Sequence, residues 1–246
     1  MPGSVARSAP VCVVFGGSGA VGREVCHALL ARGARVGFTS FRSDANGIDG
    51  VRKVLDVTDV AAIDRTLDEF QHEMGPIDAF VNCAGVGITV PHDSPTAHHL
   101  MEDVDERAWD AMIDVNAKSS FFAVRHVGRL MRANGGGNIV LLGSIDGVKP
   151  APSPVHYAAS KAALSGMVKA MAKELGPYNI RVNTIAPGIL DGGLSRVLPD
   201  DLRSEYLKHC GLKRLGRLDE VAKLVAWLAT ENTFITAQTI VVDGAL

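Results

Sequence analysis

Apolar, β-branched runs alternate with amphipathic segments along almost the whole chain, and this alternation restricts the fold more than any other feature. VCVVF (11–15), RVGFTS (35–40), KVLDV (53–57), IDAFVN (77–82), NIVLLGS (138–144), IRVNTIA (180–186) and QTIVVD (238–243) read as strands. Helical periodicity covers about 20–32, 59–74, 106–133, 155–175 and 219–230. The strands are continuous apolar runs, as expected when both faces of a sheet are covered. Strand followed by helix, repeated, builds a parallel sheet with helices on each side. The expectation is an α/β protein: a single doubly wound parallel seven-stranded sheet with helices on both faces, in one domain over residues 1–246. The least regular segments, 85–104 and 187–212, each follow a strand, and open parallel sheets bind ligands beyond the carboxyl ends of their strands.

Several functions are argued against by bulk properties. A net charge of -2 gives no basis for binding nucleic acid or an anionic membrane. No apolar run approaches the ~18 residues of a membrane helix, and the first residues lack the pattern of a signal peptide. Cys12, Cys26, Cys83 and Cys210 are scattered and form no C-x-x-C pair, so neither a disulfide framework nor zinc is indicated. A reduced, cytoplasmic protein is expected.

The segment VFGGSGAVG (14–22) follows the first strand and opens a helix. Gly17, Gly19 and Gly22 fit G-x-G-x-x-G, and Gly16, Gly19 and Gly22 fit G-x-x-G-x-x-G. Either spacing serves a tight turn that lets a pyrophosphate approach the backbone and the first N–H groups of the helix, the dinucleotide site of a Rossmann fold. Gly16, Ser18, Gly19, Ala20, Val21 and Gly22 are therefore candidate cofactor contacts. The second strand ends Thr39-Ser40-Phe41-Arg42-Ser43 without a carboxylate. Arg42 and Ser43 can both donate to a 2′-phosphate, which favours NADP(H) over NAD(H). Asp44 would reverse that preference if it reached the ribose instead. Asp56, beside Val57 in LDVTD, either accepts from the adenine amino group or caps the helix that starts near Asp59.

Tyr157 and Lys161 lie four residues apart in a helical segment and share one face. A phenol with a pKa near ~10 becomes a usable acid or base when an ammonium stabilises its phenolate. Ser144 ends the preceding strand, Asn82-Cys83-Ala84-Gly85 ends an earlier one, Asn116 lies within a helix, and Pro187-Gly188 follows the next strand.

In this order and spacing the motifs resemble those of the short-chain dehydrogenase/reductase family over about residues 10–244. The tail RLGRLDEVAKLVAWLAT…ITAQTIVVDG is most similar to the 3-oxoacyl-(acyl carrier protein) reductase branch. The resemblance implies that Tyr157 protonates a carbonyl oxygen and that Ser144 hydrogen-bonds the same oxygen. Lys161 would bind the nicotinamide ribose and lower the pKa of Tyr157, while Asn116 would hold a water leading to Lys161. Asn82, Ala84 and Gly85 would line the adenosine ribose, and Pro187, Gly188 and Ile189 the nicotinamide. No metal is called for. His92, Asp93, His98 and His99 share a polar loop but lack structural-zinc spacing.

The sequence also departs from the family pattern. Phe15 replaces a Thr that braces the glycine loop in relatives, and Ala20 replaces a glycine. The expectation is that Gly19 takes the phosphate approach and Ala20 begins the helix. Cys83 replaces an Asn, Gly192 a Thr, and the segment 86–104 is longer than its usual counterpart. The resemblance further implies a homo-oligomer, a tetramer or dimer, packed through the 106–133 and 155–175 helices. Arg125, Arg129, Arg132, Lys169 and Lys173 on those helices are candidates to meet an acidic carrier protein. The leading reading is reduction of a small-molecule or carrier-protein-bound 3-oxoacyl thioester. The rivals are an NAD(P)-dependent alcohol, sugar or steroid dehydrogenase, and a non-catalytic subunit of a reductase complex.

Overall fold

A computed structural model describes residues 9–41, 47–87, 100–198 and 200–246. Its seven strands are β1 (Val11–Phe15), β2 (Arg35–Ser40), β3 (Val51–Val54), β4 (Ala79–Asn82), β5 (Gly137–Leu142), β6 (Ile180–Pro187) and β7 (Thr239–Val242). They form one sheet in the order β3-β2-β1-β4-β5-β6-β7. Every pairing is parallel, for example Val14 beside both Phe38 and Val81. The order reverses between β1 and β4, so a crevice opens at the carboxyl ends of these two strands.

The period-two geometry of a strand divides the core into two layers. In β1, Val11, Val13 and Phe15 join Phe70, Phe80, Met131 and Leu164 on one face. Cys12 and Val14 join Val25, Leu29, Val225 and Ala226 on the other. The first layer is covered by α2 (Val60–Met74), α4 (Ser119–Asn134) and α5 (Val155–Leu175). The second is covered by α1 (Ala20–Leu30) and α7 (Leu218–Thr230). Phe15 and Phe80 meet edge to face, centroids 4.9 Å apart, in the middle of the first layer.

Three elements differ from the sequence reading. The single helix expected over 106–133 is interrupted: α3 (Glu106–Ile113) passes into a π turn (Asp114–Lys118) before α4 begins. The edge strand β3 ends at Val54, so Asp56 and Val57 follow the strand rather than end it. The irregular segment 187–212 contains a 3-10 turn (Gly193–Val197) and a helix, α6 (Asp200–His209), whose only buried side chain is Tyr206. Among the described residues no helix is long and apolar enough to cross a membrane.

Candidate active site

The turn after β1 is shaped by steric necessity. Gly16 has φ +71°, and a Cβ there would lie 2.6 Å from the backbone nitrogen of Ala84. A Cβ at Gly22 would overlap the Gly16 carbonyl oxygen, so the first turn of α1 closes directly onto the loop. Gly19 is different, because its φ is −70° and a Cβ would meet only the Gly16 oxygen, at 3.3 Å. Gly19 is the N-cap of α1 and Ala20 its first residue, as the altered glycine pattern predicts. The N-cap supplies no side-chain acceptor and the first turn carries no carboxylate. The first N–H groups of α1 thus point out of the turn without a protein anion, a fit for the pyrophosphate of a dinucleotide.

The bracing hydroxyl lost at Phe15 is replaced from the neighbouring strand. Thr39, buried in β2, accepts a hydrogen bond from Gly16 N at 3.0 Å through Oγ1. Behind the turn, Phe15 O accepts from Cys83 N at 2.9 Å. Asn82 is buried; its Oδ1 accepts from Ala84 N and its Nδ2 donates to Ser120 Oγ, both at 3.0 Å. Asp56 is exposed and accepts from the backbone N–H and hydroxyl of Thr58. The cap of α2 is Asp59, which accepts from Ala62 N, so the alternative capping role for Asp56 is corrected. Val57 packs against the first core layer. Arg42 and Ser43 lie outside the described residues, as do His92, Asp93, His98, His99 and most of the 86–104 segment.

One cavity at the carboxyl ends of the strands brings together Ser144, Tyr157 and Lys161. Val21 and Gly85 line one side of it, and Pro187, Gly188 and Ile189 line another wall. Ser144 lies just beyond β5 and caps the 3-10 turn Ile145–Gly147, accepting from Asp146 N at 3.3 Å. Its Oγ donates to the Asp146 carboxylate at 2.9 Å. Gly147 allows this turn to rest on α5, since a Cβ there would lie 2.5 Å from the backbone nitrogen of Ala162.

Lys161 is buried on α5, donates to Leu142 O at 3.1 Å, and holds its Nζ 5.8 Å from the centre of the Tyr157 ring. Burial lowers its pKa from 10.5 to about 8. Tyr157 moves the other way, to about 12, raised first by burial and then by the charge of Asp146. The expected lowering of the phenol by Lys161 is therefore not what this arrangement gives. Loss of hydration and the charge of Asp146 outweigh the opposing hydrogen bond from Ser144, and the phenol is held in its protonated form. Cys83 also lines the cavity, and burial pushes its thiol to about 12, leaving it neutral.

Asn116 sits in the π turn, where the local widening turns its side chain inward. Its Oδ1 accepts from Val86 N at 2.9 Å, and its Nδ2 donates to Val86 O and Ser160 Oγ at 3.0 Å. Ser160 donates to Tyr157 O at 2.8 Å, and Ser120 donates to Asn116 O at 2.9 Å. A buried chain of polar contacts thus runs from Asn82 through Ser120, Asn116 and Ser160 to the backbone of Tyr157. Thr39, Ser120, Ser160 and Asp146 were not singled out from sequence; Ser160 and Asp146 at least stand beside residues that were.

Of the basic residues on α4 and α5, Arg125 pairs with Asp64 at 3.0 Å and Arg132 stacks 3.8 Å over Tyr178. Lys169 and Lys173 are exposed.

The fold and its glycine turn define a class, the α/β proteins with a dinucleotide-binding turn. Within it, the family model described as enoyl-(acyl carrier protein) reductase matches residues 17–246. The chain is 34% identical over 244 residues to 3-oxoacyl-[acyl-carrier-protein] reductase FabG of Escherichia coli, covering 96% of each protein. It is 28% identical over 237 residues to acetoacetyl-CoA reductase of Synechocystis sp., covering 96% of this chain and 95% of that protein. Among solved structures, 3-oxoacyl-[acyl-carrier protein] reductase from Brucella melitensis superposes with a TM-score of 0.86 at 30% identity, over 96% of this chain and 91% of that one. The chain belongs to the short-chain dehydrogenase/reductase family and is an NAD(P)-dependent oxidoreductase.

Proposed function

We propose that the protein reduces the ketone of a 3-oxoacyl thioester, linked to acyl carrier protein or CoA, with NADPH. The observation that carries this reading is the meeting of Ser144, Tyr157 and Lys161 in one cavity at the switch point of the sheet. The names borne by the relatives supply the substrate class: two act on 3-oxoacyl-(acyl carrier protein) and one on acetoacetyl-CoA. Residues 1–246 act as one reductase domain, supported by the single sheet and its two continuous core layers.

In this reading the turn Gly16–Gly22 holds the pyrophosphate on the N-terminus of α1, with Ser18, Gly19, Ala20 and Val21 nearest to it. Asn82, Ala84 and Gly85 flank the adenosine ribose, with Asp56 and Val57 toward the adenine. Pro187, Gly188 and Ile189 border the nicotinamide. Arg42 and Ser43 receive the 2′-phosphate, which makes NADPH the preferred donor. The bound cofactor supplies a hydride to the carbonyl carbon.

The protein's own groups handle the oxygen. Tyr157 holds its proton in the cavity and gives it to the developing alkoxide. Ser144 hydrogen-bonds that oxygen and spreads its charge. Lys161 binds the nicotinamide ribose and restores the phenol proton, supplied through water at Asn116. The enzyme is cytoplasmic and works as a homo-oligomer, a tetramer or dimer.

The test is NADPH oxidation at 340 nm with acetoacetyl-CoA. Turnover by wild type that falls at least ~10²-fold in Tyr157→Phe, with NADPH affinity kept, supports the reading. Turnover of crotonyl-CoA in place of acetoacetyl-CoA would replace it with enoyl reduction. Activity only with alcohols and NAD would replace it with a dehydrogenase. Cofactor binding without turnover of any carbonyl would leave a non-catalytic subunit.

A further inference from the structure

A carboxyl group stands in the cavity that the proposed reduction does not use. Asp146 lines the same space as Ser144, Tyr157 and Lys161. Among the described residues its side chain has one hydrogen-bond partner, Ser144, whose hydroxyl reaches Oδ2 at 2.9 Å. The Lys161 ammonium donates to Leu142 O rather than to this carboxylate, and its charge only partly offsets the cost of burying it. The other carboxylate oxygen, Oδ1, takes no donor among the described residues. The 3-10 turn carrying Asp146 is fixed against the backbone of α5 at Gly147, which holds the Asp146 backbone in place beside the cavity. The rest of the wall is largely apolar: Leu142, Ile145, Ile189, Leu190, Leu194 and Leu198. Burial raises the pKa of Asp146, and the Ser144 hydrogen bond opposes that rise. Asp146 is half-buried, and a donor entering this largely apolar space would take the place of solvent at its carboxylate.

Ser144 has a single proton, and two acceptors compete for it. With an unsubstituted ketone, the hydroxyl must leave the Asp146 carboxylate to serve the carbonyl oxygen, and the carboxylate then has no hydrogen-bond donor among the described residues. A substrate that brings its own donor avoids this loss. Ser144 Oγ and the Asp146 carboxylate are in direct contact. Two polar groups on adjacent substrate carbons, one carbonyl and one donor, match that pair.

We propose that Asp146 is a specificity-determining residue, selecting substrates with a hydroxyl or amino group on the carbon next to the reacting carbonyl. This rests on the ketoreductase reading and narrows its substrate to 3-oxoacyl thioesters bearing a donor at the 4-position. The donor occupies Asp146 and releases the Ser144 proton to the carbonyl oxygen.

The experiment compares kcat/KM for acetoacetyl-CoA with that for its 4-hydroxy and 4-amino derivatives, by NADPH oxidation, in wild type, Asp146→Val and Asp146→Asn. Wild type is expected to prefer at least one substituted substrate by ~10-fold or more. Asp146→Val should lower that ratio by ~10-fold or more. A general effect on folding or on Ser144 changes all three substrates alike and leaves the ratio where it was. If Asp146→Val does not fold, Asp146→Asn carries the test, since its amide keeps the shape, loses the charge, and should lower preference for the amino substrate most. A preference for the amino derivative identifies a cationic donor, and one for the hydroxy derivative a neutral donor; either supports the proposal. Equal use of all three substrates by wild type, or a ratio unmoved by both substitutions, overturns this proposal and leaves the reductase reading intact. Turnover of none of the three overturns both.

Discussion

Gly16 N donates to Thr39 Oγ1 at 3.0 Å, tying the cofactor turn to the second strand across the sheet. Phe15 cannot brace the turn, because its side chain is fully committed to the first core layer against Phe80. The load passes to a hydroxyl on β2 that is itself buried. Thr39→Val keeps the shape and leaves Gly16 N–H facing a methyl group. It is expected to cost about 1–2 kcal/mol of stability in urea unfolding and to weaken NADPH binding. Unchanged NADPH affinity would show that the bond is not part of the turn's organisation.

The glycines of the turn have separable duties. Gly16→Ala introduces a side chain at φ +71° against the Ala84 backbone, and is expected to cost more than about 2 kcal/mol. Gly19→Ala meets only the Gly16 oxygen at 3.3 Å and keeps an ordinary φ, so its stability cost should stay below about 1 kcal/mol. Its NADPH dissociation constant should nevertheless rise at least ~10-fold, because the added methyl stands where the phosphate approaches. Calorimetry of unfolding and fluorescence titration with NADPH read the two effects apart. A Gly19→Ala protein that binds NADPH as wild type does would move the phosphate elsewhere.

The buried chain from Asn82 to Tyr157 gives a third expectation. Ser160 is fully buried, accepts from Asn116 Nδ2 and donates to Tyr157 O. Ser160→Ala leaves one Asn116 hydrogen with only the weak acceptor Met112 Sδ, also at 3.0 Å, at a cost of about 1 kcal/mol. It should also lower kcat several-fold without raising KM, because only the placing of Asn116 and the first turn of α5 is disturbed. A rise in KM alone, with kcat intact, would assign Ser160 to substrate binding instead.

How much of this was legible in the sequence follows from the kind of constraint each residue obeys. The strands show plainly because both their faces are buried, which forces runs such as VCVVF and IRVNTIA. The edge strand β3 shows poorly, since it alternates half-buried and exposed positions and its apolar run continues past Val54. The helix α6 has only Tyr206 buried, so almost no apolar stripe marks it. The π turn is invisible because 106–133 keeps a helical pattern on both sides of it. The Tyr157–Lys161 pair was legible by chemical type and spacing, and Ser144 and Asn116 through the family resemblance. Thr39 and Ser120 were not, because their partners Gly16 and Asn82 lie 23 and 38 residues away in the chain. Asp146 was overlooked beside Ser144, as its meaning depends on a cavity rather than on a motif.

Lys161 makes the stability of the protein depend on pH in a direction that can be worked out. Its pKa falls from 10.5 to about 8 in the folded chain because burial penalises the ammonium. Below about pH 8 both folded and unfolded chains carry the proton, and the whole penalty is felt. Between pH 8 and 10.5 the unfolded chain holds more protons than the native one, so this residue makes stability rise with pH. Tyr157 acts oppositely, but in the range from 10 to about 12, where the native phenol keeps a proton that the unfolded one has lost. Comparing wild type with Lys161→Met cancels the contribution of Tyr157 and of the raised thiols to first order. The variant should be the more stable protein at pH 7, and its advantage should shrink by about 2–3 kcal/mol by pH 10. Urea unfolding at the two pH values measures this. An advantage that stays constant, or grows, would mean that Lys161 is solvated in the folded protein and that the closed environment ascribed to the cavity is wrong.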